Sequence, residues 1–287
     1  MRFLLIILLI VLSIKCSQHN FQPSNKMVLY ADYTQKKLFV LNTETLEEFS
    51  VLDDISEQDR FIFWGKDKIL RIPPQGTDAA YFEYIFYTNK WYGRNYKSND
   101  SNLDITTGVR NFNDSLLILS GINNIYYETP YNSFSDTIIT HLGFIVDIKC
   151  SSTGVLAVLY SDSERVDFFA RKSLLFFDLL NKKIIRQKYK PFYLEEWSYD
   201  GKYLGLIDSS TQKKLEYPSL KLIDDKNSHS GYKYLNDSLF VYTKNDHVSD
   251  NYLLSSSQLY IHNLNDNSDT KLTDKPTRKR LFDVYYK

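Results

Sequence analysis

The chain has 287 residues, with 35 basic and 35 acidic side chains and a formal net charge of zero. Charge this evenly balanced excludes the concentrated positive field that nucleic acid requires, so no nucleic-acid partner is expected. With 23 Tyr and 18 Phe against only 10 Gly and 7 Pro, the composition suits packed, pleated surfaces rather than a collagen-like or low-complexity chain.

The first element is a leader. Arg2 precedes an almost unbroken apolar run, Phe3 to Ile14, and the polar segment Ser17-Gln18-His19-Asn20 follows. The run is shorter than the roughly 20 residues needed to cross a membrane, and its order of charge, apolar stretch and polar tail reads as a secretory signal. No Ala-x-Ala cleavage site is present; the run ends at Cys16. A cysteine so placed resembles the lipobox of bacterial lipoproteins, in which the thiol is acylated and becomes the new N-terminus. The lipobox has Leu three residues before the cysteine and a small residue just before it. Here Ser13 and Lys15 hold those places, with Leu12 beside them.

This resemblance implies lipidation at Cys16, anchoring to a membrane, and a place in the bacterial cell envelope, periplasmic or surface-facing. An uncleaved or differently cut leader is the alternative. Three segments are therefore expected: a signal peptide over 1–15, a lipidated Cys and polar linker over 16–26, and one folded domain over 27–287. With Cys16 acylated, Cys150 has no partner for an intramolecular disulfide. Cys150 follows the alternating stretch Phe144 to Lys149, so it reads as a packed, inert thiol.

The domain is predicted to be all-β. Met27 to Tyr33, Lys37 to Asn42 and Glu48 to Leu52 open it as three strands. Hairpin turns follow at Gly65–Lys68, Asn113–Ser115, Ser152–Gly154, Asp200–Lys202 and Asn236–Ser238, each leading into a short apolar strand. Their spacing of roughly 40 residues is that of one four-stranded propeller blade. Arg280 to Lys287 reads as a lone first strand, which joins the three opening strands to complete a blade and close the ring. The expected fold is a single β-propeller of six four-stranded blades. Seven blades would follow if Ile122 to Leu142 held another hairpin, and an open β-sandwich pair is the other alternative.

One hairpin carries a sharper signal. Trp197-Ser198-Tyr199-Asp200-Gly201-Lys202 resembles the Trp-Ser-Pro-Asp-Gly-Lys repeat of TolB-like propellers, with Tyr199 where Pro is usual. Lys271-Leu272-Thr273 is similar to the Leu-Thr that ends blades in that family. The resemblance implies a six-bladed propeller exported across a membrane. It carries no partner with it, because propellers host unrelated tasks.

Catalytic signatures are sparse. The five histidines show no spacing to one another or to Cys that would hold zinc, and there is no Gly-x-Ser-x-Gly elbow or Gly-rich phosphate loop. No cofactor or metal is expected. Asn265 to Asp269 has calcium-like alternation but lacks the Gly and distant Glu of a calcium loop, so it reads as a turn. Two regions are candidate contact surfaces: the polar insertion Asn245 to Asn251, containing His247, and the aromatic-rich stretch containing Trp91, Tyr92 and Arg94. These four residues are the proposed contacts for a protein or glycan of the envelope. The rival expectation is an enzyme acting on glycans or peptides through Asp147, Glu195, Glu196 and Asp283, which lie on or beside predicted first strands. A structural subunit with one broad apolar patch is a third.

Overall fold

A computed structural model describes residues 23–72, 81–94, 107–110, 117–120, 124–129, 132–139, 142–161, 171–187, 190–208, 211–224, 231–247, 256–275 and 277–286. Among them are six antiparallel four-stranded sheets and no helix. From the channel outward, blade one contains β24 (Lys279–Tyr286), β1 (Lys26–Asp32), β2 (Lys37–Asn42) and β3 (Glu48–Asp53). Blade two contains β4 (Arg60–Phe63), β5 (Lys68–Ile72), β6 (Tyr81–Ile85) and β7 (Lys90–Arg94). Blade three contains β8 (Thr107–Arg110), β9 (Leu117–Ser120), β10 (Ile125–Thr129) and β11 (Asn132–Ile139).

Blade four contains β12 (Phe144–Cys150), β13 (Val155–Ser161), β14 (Ser173–Asp178) and β15 (Lys183–Gln187). Blade five contains β16 (Tyr193–Trp197), β17 (Tyr203–Asp208), β18 (Thr211–Glu216) and β19 (Lys221–Asp224). Blade six contains β20 (Lys233–Tyr234), β21 (Leu239–His247), β22 (Ser256–Asn263) and β23 (Ser268–Lys271).

First strands neighbour one another around the channel: β24 lies beside β4, β4 beside β8, β8 beside β12, β12 beside β16, and β20 beside β24. The register from Lys26↔Tyr286 to Asp32↔Lys279 closes the ring. The stretch that was the candidate for an additional hairpin instead supplies β10 and β11, the outer half of blade three. A sandwich of two sheets is replaced by the ring.

The core lies between blades, which explains why the second strands are apolar on both faces. In β13, Val155, Ala157 and Leu159 pack with Leu194, Trp197 and Leu206 of blade five. The intervening Leu156, Val158 and Tyr160 pack toward Ile118 and Ile125 of blade three. Strand β1 divides in the same way, with Met27, Leu29 and Ala31 toward blade two and Val28 and Tyr30 toward blade six. Successive side chains point to opposite faces of a strand, so a run buried on both sides must be apolar throughout.

The turns between third and fourth strands follow one rule in five blades. Leu46, Asn89, Lys182, Leu220 and Asn267 occupy the left-handed region, with φ between 52° and 60°. Several strand-end side chains cap these turns. Asn42 Oδ1 accepts from Glu44 N at 2.9 Å, Asp178 Oδ1 from Asn181 N at 2.9 Å, and Asn263 Oδ1 from Asn265 N at 3.0 Å. Asn and Asp favour such positions because a short polar side chain replaces a backbone partner.

Candidate ligand-binding channel

Three first strands approach the channel through irregular pairing. The register of β12 against β13 shifts between Ile145 and Asp147, that of β16 against β17 between Leu194 and Trp197, and that of β1 against β24 between Leu29 and Tyr30. A bulge re-aims the side chains beside it. Asp147, Glu196 and Asp283 all lie at these irregularities.

The hairpin hydrogen bonds set the blades in register. Ser151 N donates to Val155 O, Ser198 N to Tyr203 O, and Leu235 N to Leu239 O, at 2.7 to 2.9 Å. Two residues before these donors stand Lys149, Glu196 and Lys233, so one position in blades four, five and six reads plus, minus, plus. The three side chains meet. Lys149 Nζ lies 3.0 Å from Glu196 Oε1, and Lys233 Nζ lies 2.5 Å from the same oxygen. Asp147, two residues back on the same face of β12, lies 3.9 Å from Lys149 Nζ through Oδ2.

The electrostatics of this cluster are divided. Burial pushes the Glu196 carboxyl up, but the ammonium groups of Lys149 and Lys233 outweigh it and pull the group down to about 2. Burial likewise opposes charge on Lys149, yet Asp147 and Glu196 hold its ammonium above the ordinary lysine value. Asp147 is raised, chiefly by burial, with Lys149 opposing and Glu196 adding to the rise. A carboxylate held firmly ionised thus lies near one biased toward the neutral form. Side-chain exposures of 21% to 30% for Lys149, Lys233, Glu196 and Asp147 leave all four in partial contact with solvent.

The other two carboxylates predicted from sequence do different work. Asp283 Oδ2 accepts from Phe63 N of blade two, and Oδ1 from Val284 N, both at 2.9 Å. It therefore fastens β24 to the next first strand. Glu195 is buried, with Gln212 Nε2 donating to Oε1 at 3.2 Å. The sequence does not single out Lys149 or Lys233, because a lone lysine on a strand carries no chemical signal of its own.

The four predicted contact residues are not gathered on one blade. Trp91 and Tyr92 lie on β7 and His247 ends β21, with blade one between those sheets. Trp91 is part-buried: Nε1 donates to Val51 O of blade one at 2.9 Å, and its ring lies 5.2 Å from that of Tyr84. The indole is held at the joint between blades. Tyr92 remains 40% exposed. Arg94 pairs through its backbone with Tyr81, and its side chain lies outside the described residues, as does that of His247. The expected polar insertion begins later than its sequence suggests, because Asn245 and His247 pair with Ser257 and Ser256. Residues 248–251 lie outside the described residues, as does Cys16.

Other sequence expectations can be placed. Cys150 donates through Sγ–H to Ser151 O at 3.6 Å, and burial pushes its thiol up to about 12. Asn265 to Asp269 forms a turn in which Asp266 Oδ1 accepts from Ser268 N and Oγ. His262 is buried, 2.9 Å from Asp269 Oδ1. Among the described residues, no group of three or more His, Cys, Asp or Glu could hold a metal ion.

The Trp-Ser-Tyr-Asp-Gly-Lys segment is accounted for by folding. Trp197 packs against Phe176 of blade four and Tyr217 of blade five, and its Nε1 donates to Lys149 O at 3.2 Å. Ser198 Oγ accepts from Tyr203 N and donates to Asp200 Oδ1, which accepts from Lys202 N. Gly201 supplies the left-handed backbone, with φ of 71°.

No family model and no curated protein matches the sequence. Solved structures do match the fold. TolB from Acinetobacter baumannii superposes with a TM-score of 0.61 at 13% identity, covering 91% of this chain and 66% of that one. The putative TolB from Agrobacterium tumefaciens gives 0.53 at 10% identity, covering 91% and 98%. The tricorn protease gives 0.51 at 12% identity, covering 85% of this chain and 29% of that one. This chain thus spans less than two thirds of the A. baumannii protein and less than a third of the protease. Similarity at this level of identity shows architecture alone, and the architecture is that of a TolB-like β-propeller.

Proposed function

We propose that this protein is a lipoprotein of a bacterial envelope, anchored through Cys16, whose propeller recognises a protein or glycan without catalysis. In this reading residues 1–15 are the signal, 16–26 the acylated tether and 27–287 the recognition domain. The observation that carries the binding reading is the Lys149–Glu196–Lys233 column. Both lysines bond one oxygen of Glu196, so the carboxylate is engaged and fully ionised near neutrality. Such a group is a poor general base, which works best with a pKa near the operating pH. A ligand carboxylate entering the channel would compete for the two ammonium groups and exchange one charge-assisted contact for another. Tyr92, Arg94 and His247 are the candidate contacts outside the channel.

The second reading, a glycan- or peptide-processing enzyme, rests on Asp147, whose raised pKa beside an ionised carboxylate suits a general acid. One experiment separates the two. The tagged full chain is recovered from crosslinked native envelopes beside Cys16→Ala and Lys149→Met variants. A defined partner or glycan that is lost with Lys149→Met supports channel recognition. Equal recovery with both proteins overturns it. Turnover of envelope glycan or peptide that vanishes in Asp147→Asn would replace binding with catalysis.

A further inference from the structure

One rim of the ring collects the turns joining first to second and third to fourth strands, and these turns are hydrogen-bonded to each other within a blade. Phe86 N donates to Asp67 O, Leu179 N to Gly154 O, Tyr217 N to Lys202 O, and Leu264 N to Ser238 O, at 2.7 to 3.0 Å. This rim is tight, yet it carries apolar side chains at its outermost points. Tyr87, Leu180 and Leu46, at 79%, 77% and 54% exposure, are the three most exposed large hydrophobic side chains among the described residues. They sit in third-to-fourth-strand turns of blades two, four and one, and Leu264 repeats the feature in blade six. Tyr199 adds an exposed ring from the first hairpin of blade five.

The chain enters the domain on this same rim. Lys26 begins β1 opposite Tyr286, its carbonyl accepts from Thr43 N at 3.0 Å, and its Nζ lies 2.7 Å from Glu44 Oε1. Thr43 and Glu44 belong to the turn that displays Leu46. Lys26 is only ten residues after Cys16. A ten-residue polar chain has a root-mean-square reach of roughly 18 Å. Strands of six to eight residues stand roughly 20 to 27 Å tall, so a tether of that reach keeps the entry rim nearest its anchor.

We infer that the rim bearing Leu46, Tyr87, Leu180 and Leu264 rests on the lipid bilayer to which Cys16 is anchored. The opposite rim, where β3 leads into β4, then faces the partner. The inference rests on the lipid-anchor reading and adds an orientation to it. Leu at turn tips suits the apolar side of the interfacial layer, and Tyr, with an apolar body and a polar tip, suits its wet edge. The ion pairs of this rim, Lys26 with Glu44 and Lys202 with Asp200, are matched internally. The contact is made through the apolar tips, while the exposed charges of the same rim, among them Glu47, Lys66, Lys90 and Lys182, face the headgroups.

Nitroxide labelling tests the orientation. The full chain, expressed with its leader, is recovered from membranes and reconstituted in vesicles of phosphatidylethanolamine with or without phosphatidylglycerol. A Cys150→Ala background carries one of Tyr87→Cys, Leu180→Cys or, on the opposite rim, Gln58→Cys. On vesicles, the labels at 87 and 180 should lose severalfold in collision rate with an aqueous nickel complex and gain in collision with oxygen, while the label at 58 stays aqueous. On vesicles of phosphatidylethanolamine alone, raising salt should leave this contrast unchanged. Vesicle flotation reads the anchor separately. Protein that floats with all three labels equally aqueous, or with 58 shielded, overturns the orientation and leaves the anchor standing. Protein that does not float removes the anchor and the orientation together.

Discussion

Lys149 and Glu196 hold the same position in neighbouring blades, and their side chains meet 3.0 Å apart at the channel. The repeat places them there: each stands two residues before the first hairpin donor of its blade, so the ring brings equivalent positions side by side. Lys233 repeats the position on the far side of Glu196.

Glu196 therefore links stability to pH. Its folded pKa of about 2 lies below its ordinary value of 4.5, so the contribution is present above that value and is lost as pH falls toward 2. A shift of this size corresponds to roughly 3 kcal/mol at most. Glu196→Gln should lower stability at pH 7 by about 2 to 3 kcal/mol by removing the carboxylate that both ammonium groups share. Urea unfolding of both proteins from pH 7 to pH 3 checks this. The gap should narrow with acidification, and parallel curves would sink the assignment.

Trp91 and Tyr92 are adjacent in sequence and opposite in role. Trp91→Ala should cost about 3 kcal/mol through lost packing and the lost bond to Val51 O. Tyr92→Ala should change stability by less than about 0.5 kcal/mol, as an exposed position does. Thermal and denaturant unfolding of the pair would separate them; equal losses would mean that Tyr92 also belongs to the joint.

Gly205 lies opposite the irregular pairing of β16. A methyl group there would come 2.9 Å from Glu195 Cβ and 3.3 Å from the Glu196 carbonyl oxygen. Gly205→Ala should destabilise by about 2 kcal/mol through overpacking and should disturb the Glu196 contacts. Unfolding midpoints and the acid limb of Gly205→Ala should shift together. A silent substitution would show that β16 yields locally.

Cys150 should be chemically quiet. Burial raises its thiol to about 12, so almost no thiolate exists at pH 7.5. Iodoacetamide followed by mass spectrometry should modify Cys150 only after denaturant is added. Modification of the native domain within minutes would contradict the packing around β12.

Much of the architecture was legible in sequence because propeller repeats are written in local signals. The β2 boundaries, Lys37–Asn42, coincide with the predicted strand, and β13 and β17 begin at the predicted Val155 and Tyr203. Turn chemistry and an apolar run are properties of a few neighbouring residues, and they survive when repeats diverge. The charge column was less legible. Lys149, Glu196 and Lys233 are spread over 85 positions, and nothing local distinguishes them from other charged residues on strands. The polarity around His247 points to a loop, whereas its pairing with Ser256 depends on a partner strand that no local pattern shows.

The sequence by itself determined the strands, their hairpins and the closure of first strand on last, since each follows from alternation and turn residues over short spans. Only the tertiary structure decided which charges share the channel, that Trp91 seals a joint while Tyr92 stays exposed, and which rim gathers Leu46, Tyr87 and Leu180. Those outcomes depend on the angle and order in which blades pack around the ring. That geometry is set by contacts between residues far apart in the chain, which no local pattern records.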